Sequence, residues 1–327
     1  MADRIGLASI GVGWWGSQLA ERLGEDASVV ACYARNQEKR EDFASRFECD
    51  PASSLDQVLD NPAVAGLLVA TSHSTHREII EAAATAGKHV FVEKPLTLNL
   101  ADARAAVAAA EKAGIVLQVG HQRRRAAGIR RLRALVTEGV LGEVQVLASH
   151  HHSPNGLRMP AEAWRRKPEE SPLGSMTSLA VHTLDTFNYL GGPLRRVYAA
   201  TRPARPGGTI DEATALTVEF ESGVLGSILT SFYVPPLVEL SVHGSGGAAF
   251  SRDDARRLTL TRLDPPGEEE LALTPVDPVA DQLQEFVASI RGDSVPETGG
   301  AEGLAVVAAL EAAVESARSG SAVEVVV

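Results

Sequence analysis

Apolar and polar positions fall into two regimes along this chain. Up to about residue 120, short apolar runs alternate with longer segments of helical period. The runs are Ile5 to Ile10, Val29 to Tyr33, Val64 to Ala70, His89 to Val92 and Ile115 to Val119. Between them, Gln18 to Leu23, Glu38 to Phe47, Arg77 to Ala86 and Leu100 to Ala113 have helical composition, with Gly114 as a stop for the last. Strands that alternate with such helices predict βαβ units and a parallel sheet. Their near-continuous apolar character fits a sheet covered on both faces.

Beyond Gly120 the rhythm changes. A helix from Ile129 to Glu138 stops at Gly139. Strand patterns then follow with few helices between them: Val144 to His150, Arg196 to Thr201, Ala215 to Phe220, Gly226 to Tyr233 and Glu239 to Gly244. A Ser222-Gly223 turn joins two of them as a hairpin. This predicts a mostly antiparallel sheet in an α+β arrangement. Asp281 to Ile290 and Glu302 to Ala317 read as two closing helices, and the Pro/Gly-rich stretches 202–208 and 263–268 as loops. The expected organisation is an α/β chain of two domains, 1–122 and 123–327.

Composition narrows the function classes. The chain has 327 residues, 44% hydrophobic and 22% charged, ordinary for a globular protein with room for two cores. No apolar run is long enough for a transmembrane helix, and the first residues lack a cleavage-site pattern, so a cytoplasmic location is expected. A net charge of -11 argues against nucleic acid or an acidic membrane as the main partner. The basic stretch Arg123-Arg124-Arg125 with Arg130, Arg131 and Arg133 reads as a solvated helix face. The two cysteines, Cys32 and Cys49, cannot form a disulfide framework or a four-cysteine zinc site, and read as free thiols in a reducing compartment.

Gly11-Val-Gly13-Trp14-Trp15-Gly16 has the G-x-G-x-x-G spacing, follows a predicted strand and opens a helix. In that context the first glycine permits a tight turn, the second lets backbone approach a pyrophosphate, and the third lets helix pack on strand. The helix N-terminus offers N–H groups and a positive dipole end to phosphates. At the end of the next strand, Tyr33-Ala34-Arg35-Asn36 lacks the carboxylate that would bind an NAD ribose, and places an arginine beside Ala34. Arginine suits a 2′-phosphate, so NADP is favoured over NAD.

With this loop, Glu93-Lys94-Pro95, the segment Gly120-His-Gln122-Arg123-Arg124, Trp164-Arg165 and Gly174-Ser-Met-Thr-Ser178-Leu-Ala-Val-His182-Thr-Leu-Asp185, the chain resembles the Gfo/Idh/MocA family over nearly its whole length. The resemblance implies a Rossmann domain with a parallel sheet, then an α+β domain whose open, mostly antiparallel sheet often forms an oligomer interface. It implies hydride transfer between NAD(P) and a hydroxyl or carbonyl carbon, usually of a sugar or polyol, without a metal. A homo-oligomer, dimer or tetramer, is expected.

Lys94 ends a predicted strand, at the edge where open α/β sheets bind ligands. The resemblance gives it contact with the reacting substrate oxygen, where an ammonium stabilises an alkoxide. His182 is the candidate general acid/base, because imidazole exchanges protons near neutral pH. Family members carry an aspartate four residues before this histidine; here the residue is Ser178, which shares a helical face with His182 but supplies no charge. Asp185 either orients the ring or caps local structure. The family also points to Thr71, Ser72, His76, Glu93, Gln122, Trp164 and Arg165 on the cofactor, although His76 is also placed to cap the helix it opens. Arg123, His150 and His152 are candidate substrate contacts. Three consecutive histidines make a poor chelate, since neighbours on a strand point to opposite faces. A dihydrodiol or anhydro-sugar reductase of the same fold is an alternative, and a non-catalytic NADP-binding sensor is another.

Overall fold

The computed structural model describes residues 4–160, 162–203 and 210–327. By its internal contacts the chain divides into two compact units, residues 1–122 with 277–304, and residues 123–276 with 305–327.

The first unit is built on a six-stranded sheet. Its strands are β1 (Ile5–Ile10), β2 (Ala27–Tyr33), β3 (Asp50–Pro51), β4 (Gly66–Val69), β5 (His89–Glu93) and β6 (Leu117–Gly120). They run in the order β3-β2-β1-β4-β5-β6, and every pair is parallel. The four residues of β4 are all buried, as a sheet covered on both faces requires. The helix Leu100–Ala113 shows why the elements start and stop where they do. Asn99 caps it by accepting from the Asp102 N–H, and Gly114 ends it in the left-handed region at φ 65°.

Residues 277–304, grouped with the second domain in the sequence reading, make their contacts in the first unit. The helix Pro278–Arg291 places Leu283, Phe286 and Val287 in one core with Leu7, Leu68 and Phe91. Phe286 meets Phe91 edge to face, with ring centroids 5.9 Å apart. Burying one such side chain contributes about 1.5–3 kcal/mol. Backbone follows the same route: Thr298 Oγ1 donates to the Val119 carbonyl and Val119 N–H donates to the Thr298 carbonyl, each at 2.7 Å.

The second unit holds a nine-stranded sheet: β7 (Val144–His152), β8 (Leu194–Arg202), β9 (Ala213–Phe220), β10 (Leu225–Ser231), β11 (Leu237–Gly244), β12 (Gly247–Arg252), β13 (Arg257–Leu263), β14 (Pro266–Glu270) and β15 (Val323–Glu324). Their order is β14-β13-β12-β11-β7-β10-β9-β8-β15, and only β7 with β10 is a parallel pair. The helices Ala127–Thr137 and Val181–Gly191 and residues 305–319 of the helix Gly300–Ser319 cover one face, with Leu132, Phe187 and Leu310 in the core. The hairpin at Ser222-Gly223 is present between β9 and β10. The expected loop at 263–268 is instead a tight hairpin, since Leu263 pairs with Pro266 and β14 runs on to Glu270. Its charged, exposed residues conceal an edge strand from a hydrophobicity reading. Of the other expected loop, 202–208, residues 204–208 lie outside the described residues.

Candidate active site

In the first unit, the C-terminal ends of the parallel strands collect five of the sequence-predicted segments on one edge. The glycine loop follows β1, Ala34 and Arg35 follow β2, Thr71 and Ser72 follow β4, Glu93 and Lys94 end β5, and Gln122 follows β6. The strand order reverses between β1 and β4, where ligands bind in open α/β sheets.

Close packing explains the glycines. Gly11 has φ 96°, and a Cβ on it would lie 2.5 Å from the Ala70 carbonyl oxygen. A Cβ on Gly16 would lie 2.1 Å from the Gly11 carbonyl oxygen. Gly13, by contrast, has nothing within 4 Å of its added Cβ, so space stays open above the loop. The loop is tied to β2 by the Gly11 N–H, which donates to the Tyr33 carbonyl at 2.9 Å. The tight turn, the open space at Gly13 and the helix Trp14–Ala20 starting there fit a dinucleotide pyrophosphate. Gly16→Ala is expected to lower stability by about 1–3 kcal/mol in urea unfolding, because the helix must be pushed off the turn.

Around this cradle, Trp14 is exposed and stacks on Trp15 with centroids 5.0 Å apart. Arg35 is exposed, and Asn36 caps the next helix by accepting from Lys39 N–H. Thr71 Oγ1 lies 2.8 Å from Thr75 Oγ1, which donates to the Ser72 carbonyl. Glu93 is buried, and Gly120 beside it leaves room for its carboxylate. Lys94 is half-buried and precedes a cis Lys94–Pro95 peptide. His76 is wholly buried; its Nδ1 lies 3.0 Å from the Pro95 carbonyl and 3.2 Å from that of Leu96, so Nδ1–H donates and the ring fastens the turn that carries Lys94. The Gln122 Oε1 is buried without a hydrogen-bond partner among the described residues.

The second unit carries the remaining candidates. His182 is buried in the first turn of the helix Val181–Gly191 and lines a small pocket with Arg123, Ser149, His151, Thr186 and Glu239. A π-helical turn, Met176–Ala180, leads into that helix and contains Ser178. A π-helical turn widens the spacing per turn, so the straight four-residue face expected for Ser178 and His182 is interrupted between them. Trp164 and Arg165 stand in a short 3₁₀ turn, with the guanidinium 4.1 Å from the Trp164 ring centroid.

Strand alternation separates the three histidines. On β7, His151 lines the pocket of His182, whereas His150 and His152 stack on the other face with centroids 5.6 Å apart. Burial, then the neighbouring His150, holds the His152 imidazole below its ordinary pKa. The parity argument at 150–152 paired His150 with His152, as found, but the sequence does not say which face of β7 shares a pocket with His182. Arg123 pairs with Asp254.

The arginine run is a solvated face only in part: Arg130 is exposed and Arg131 half-buried, whereas its first members turn inward. Arg124 and Arg125 are 5% and 2% exposed. Asp185, fully buried, accepts from Arg124 Nε at 3.0 Å and Nη2 at 2.5 Å, and among the described residues Arg124 is the partner of both its oxygens. The Arg124 guanidinium also lies over the Tyr189 ring at 4.9 Å. Asp185 therefore anchors the Gln122–Arg125 turn to the helix of His182. Sequence reasoning missed Arg124 and His151; three consecutive arginines carry no signal for which of them is buried. Among the described residues, no group of three or more His, Cys, Asp or Glu side chains is placed to hold a metal ion.

Comparison with known proteins decides the family. The sequence pattern of the oxidoreductase family with an NAD-binding Rossmann fold matches residues 5–121, and that of the GFO/IDH/MocA C-terminal domain matches residues 129–250. The chain belongs to the Gfo/Idh/MocA family of oxidoreductases. This member is 29% identical to 1,5-anhydro-D-fructose reductase of Ensifer adhaerens, over 98% of this chain and 97% of the relative. It is 27% identical to myo-inositol 2-dehydrogenase of Thermotoga maritima, over 92% of each. An oxidoreductase crystal structure from Desulfitobacterium hafniense superposes with a TM-score of 0.94 at 26% identity, over 99% of both chains. Among the described residues, no helix of this family member is long and apolar enough to cross a membrane.

Proposed function

We propose that this oxidoreductase prefers NADP and acts on a hydroxyl or carbonyl carbon of a sugar, polyol or related small molecule. The observation that carries the reading is the edge of the first sheet, where the glycine cradle, Arg35, Thr71 and Lys94 follow neighbouring strands. In this reading residues 1–122, with 277–304, hold the dinucleotide, and the second unit supplies substrate contacts and the oligomer surface. The nicotinamide, when bound, gives or takes the hydride.

The chain's own residues then do the rest. Gly11, Gly13 and Gly16 let backbone N–H groups reach the pyrophosphate, and Arg35 forms charge-assisted bonds to the 2′-phosphate. Thr71, Ser72 and Gln122 orient the ribose and nicotinamide end, and the Trp164–Arg165 pair adds a further cofactor contact. The Lys94 ammonium holds the substrate oxygen and stabilises negative charge as it develops. His182 exchanges the hydroxyl proton. Arg123 and His151 line its pocket, which supports a role for them as substrate contacts. Ser178 brings no carboxylate to balance an imidazolium, a feature that suits reduction of a carbonyl as well as oxidation of an alcohol. An anhydro-ketose substrate is the second reading, supported by the end-to-end similarity to the Ensifer adhaerens reductase.

The face of the second sheet that carries Tyr198, Leu225 and Leu229 leaves these side chains 44%, 50% and 43% exposed. An apolar face of this kind supports self-association of the chain into a dimer or tetramer.

The cofactor assignment is tested by fluorescence titration, using quenching of Trp14 and Trp15 by bound reduced dinucleotide. NADPH is expected to bind more tightly than NADH. Arg35→Ala is expected to weaken NADPH by roughly ten- to a hundredfold and leave NADH almost unchanged. Equal loss for both dinucleotides would remove Arg35 from the 2′-phosphate.

A further inference from the structure

The chain's two cysteines, 17 positions apart in sequence, meet in the first unit. Cys32 is wholly buried on β2, and Cys49 is half-buried just before β3. The helix Gln37–Phe47 ends at Glu48 in a left-handed conformation, φ 52°, which turns the chain back so that Cys49 N–H donates to the Ala44 carbonyl at 3.1 Å. Ala52 N–H then donates to the Cys32 carbonyl at 2.9 Å, fixing the returning chain on β2. The result is that both cysteines pack in one apolar cluster with Val29, Phe43 and Phe47, and each thiol shifts the other's pKa.

Two surrounding features separate this pair from inert core thiols. The first is access: Cys49 lines a surface groove with Arg4, Leu23, Phe47 and Asp50, so small solutes reach this member of the pair. The second is Arg40. Its carbonyl lies 3.5 Å from Cys32 Sγ, and its guanidinium donates to the Ala34 carbonyl at 2.9 Å. The neighbouring Cys49, and then the Arg40 charge, lower the Cys32 pKa against the effect of burial, while Cys32 and burial raise that of Cys49, so Cys32 is the thiol of the pair that ionises first.

We propose that Cys32 and Cys49 are a redox modification site, closed to a disulfide by a hydroperoxide, and that closure weakens dinucleotide binding through the Tyr33–Asn36 segment. The chemistry balances. One thiolate attacks the peroxide O–O bond, takes one oxygen as a sulfenic acid, and the other oxygen leaves as alcohol or water after taking up a proton. The second thiol attacks the sulfenic sulfur, the S–S bond forms and the S–O bond breaks, releasing water. Two thiols are oxidised and one peroxide is reduced. Forming the bond draws the sulfurs together to about 2.05 Å. Cys32 sits on a strand paired on both sides, whereas Cys49 borders the two-residue β3 at the sheet edge, so Cys49 and the helix before it move. Arg40 belongs to that helix and carries the movement to Ala34 and Arg35. The coupling to binding rests on the cofactor reading above; formation of the disulfide does not.

The test treats the whole protein with hydrogen peroxide and measures intact mass, free thiols and NADPH affinity, with Cys49→Ser as control. Expected are a loss of two hydrogens reversed by dithiothreitol, no titratable thiol afterwards, and an NADPH affinity at least about fivefold weaker. Cys49→Ser is expected to bind NADPH normally and to show no loss on peroxide treatment. Mass gains of one or more oxygens, covalent dimers, or an unchanged protein would overturn the proposal, as would a disulfide that leaves NADPH affinity intact. Failure of the reduced protein to bind any nicotinamide dinucleotide would instead overturn the cofactor reading, and with it the proposed coupling, while the mass measurement still decides the disulfide.

Discussion

Lys94→Ala is expected to lower turnover by about two to four orders of magnitude while NADPH affinity stays within a few-fold. The side chain ends β5 on the edge shared with the glycine loop, and its turn is fastened by His76 through the Pro95 and Leu96 carbonyls. In the proposed mechanism the loss falls on turnover, because an ammonium beside the reacting oxygen matters most as negative charge develops there. His182→Ala is expected to lower turnover similarly, through loss of the proton carrier, with dinucleotide affinity retained. Steady-state kinetics and fluorescence titration on the same preparations check both. Full turnover in Lys94→Ala would remove this residue from the chemistry.

Asp185→Ala is expected to destabilise the protein by about 3–5 kcal/mol, because it leaves the Arg124 charge buried without its bidentate partner. Urea unfolding followed by far-UV circular dichroism measures the loss. A change under about 1 kcal/mol would mean that water reaches Arg124 and the anchor is unimportant. The effect distinguishes Asp185 from His182, three residues earlier on one helix: the first is expected to act on stability, the second on turnover.

These two residues also show how far sequence carried. The glycine loop was legible because close approach of backbone leaves no substitute for glycine at Gly11 and Gly16. The position of Lys94 was legible for a different reason, since the parallel strand before it is a plain apolar run. The second unit was less transparent. Its strands were found where apolar residues are plentiful, yet β12, β13 and β14 went unrecognised: β12 opens on Gly247-Ala248-Ala249, Arg257 opens and Arg262 interrupts β13, and β14 is an exposed Pro-Gly-Glu-Glu-Glu. The His150-His151-His152 run carried a parity but no sense of which side faced the helices. Asp185 stood beside His182 in sequence, while its partner Arg124 is 61 positions away. Long-range pairing of this kind leaves no local pattern. The same holds for residues 277–304, whose amphipathic helix is evident in sequence but whose partner, the sheet around Phe91, is not.

On the proposed function, this member of the family moves a hydride between NADP and a sugar-like or polyol-like substrate. The most direct measurement is absorbance at the reduced-nicotinamide band. NADP and NAD, in both redox states, are paired with a panel of inositols, aldoses, keto-sugars, anhydro-ketoses and dihydrodiols. Turnover with a sugar, inositol or anhydro-ketose, faster with NADP(H) than NAD(H) and lost in Lys94→Ala, is the predicted result. Tight NADPH binding with no absorbance change for any member of the panel would contradict it.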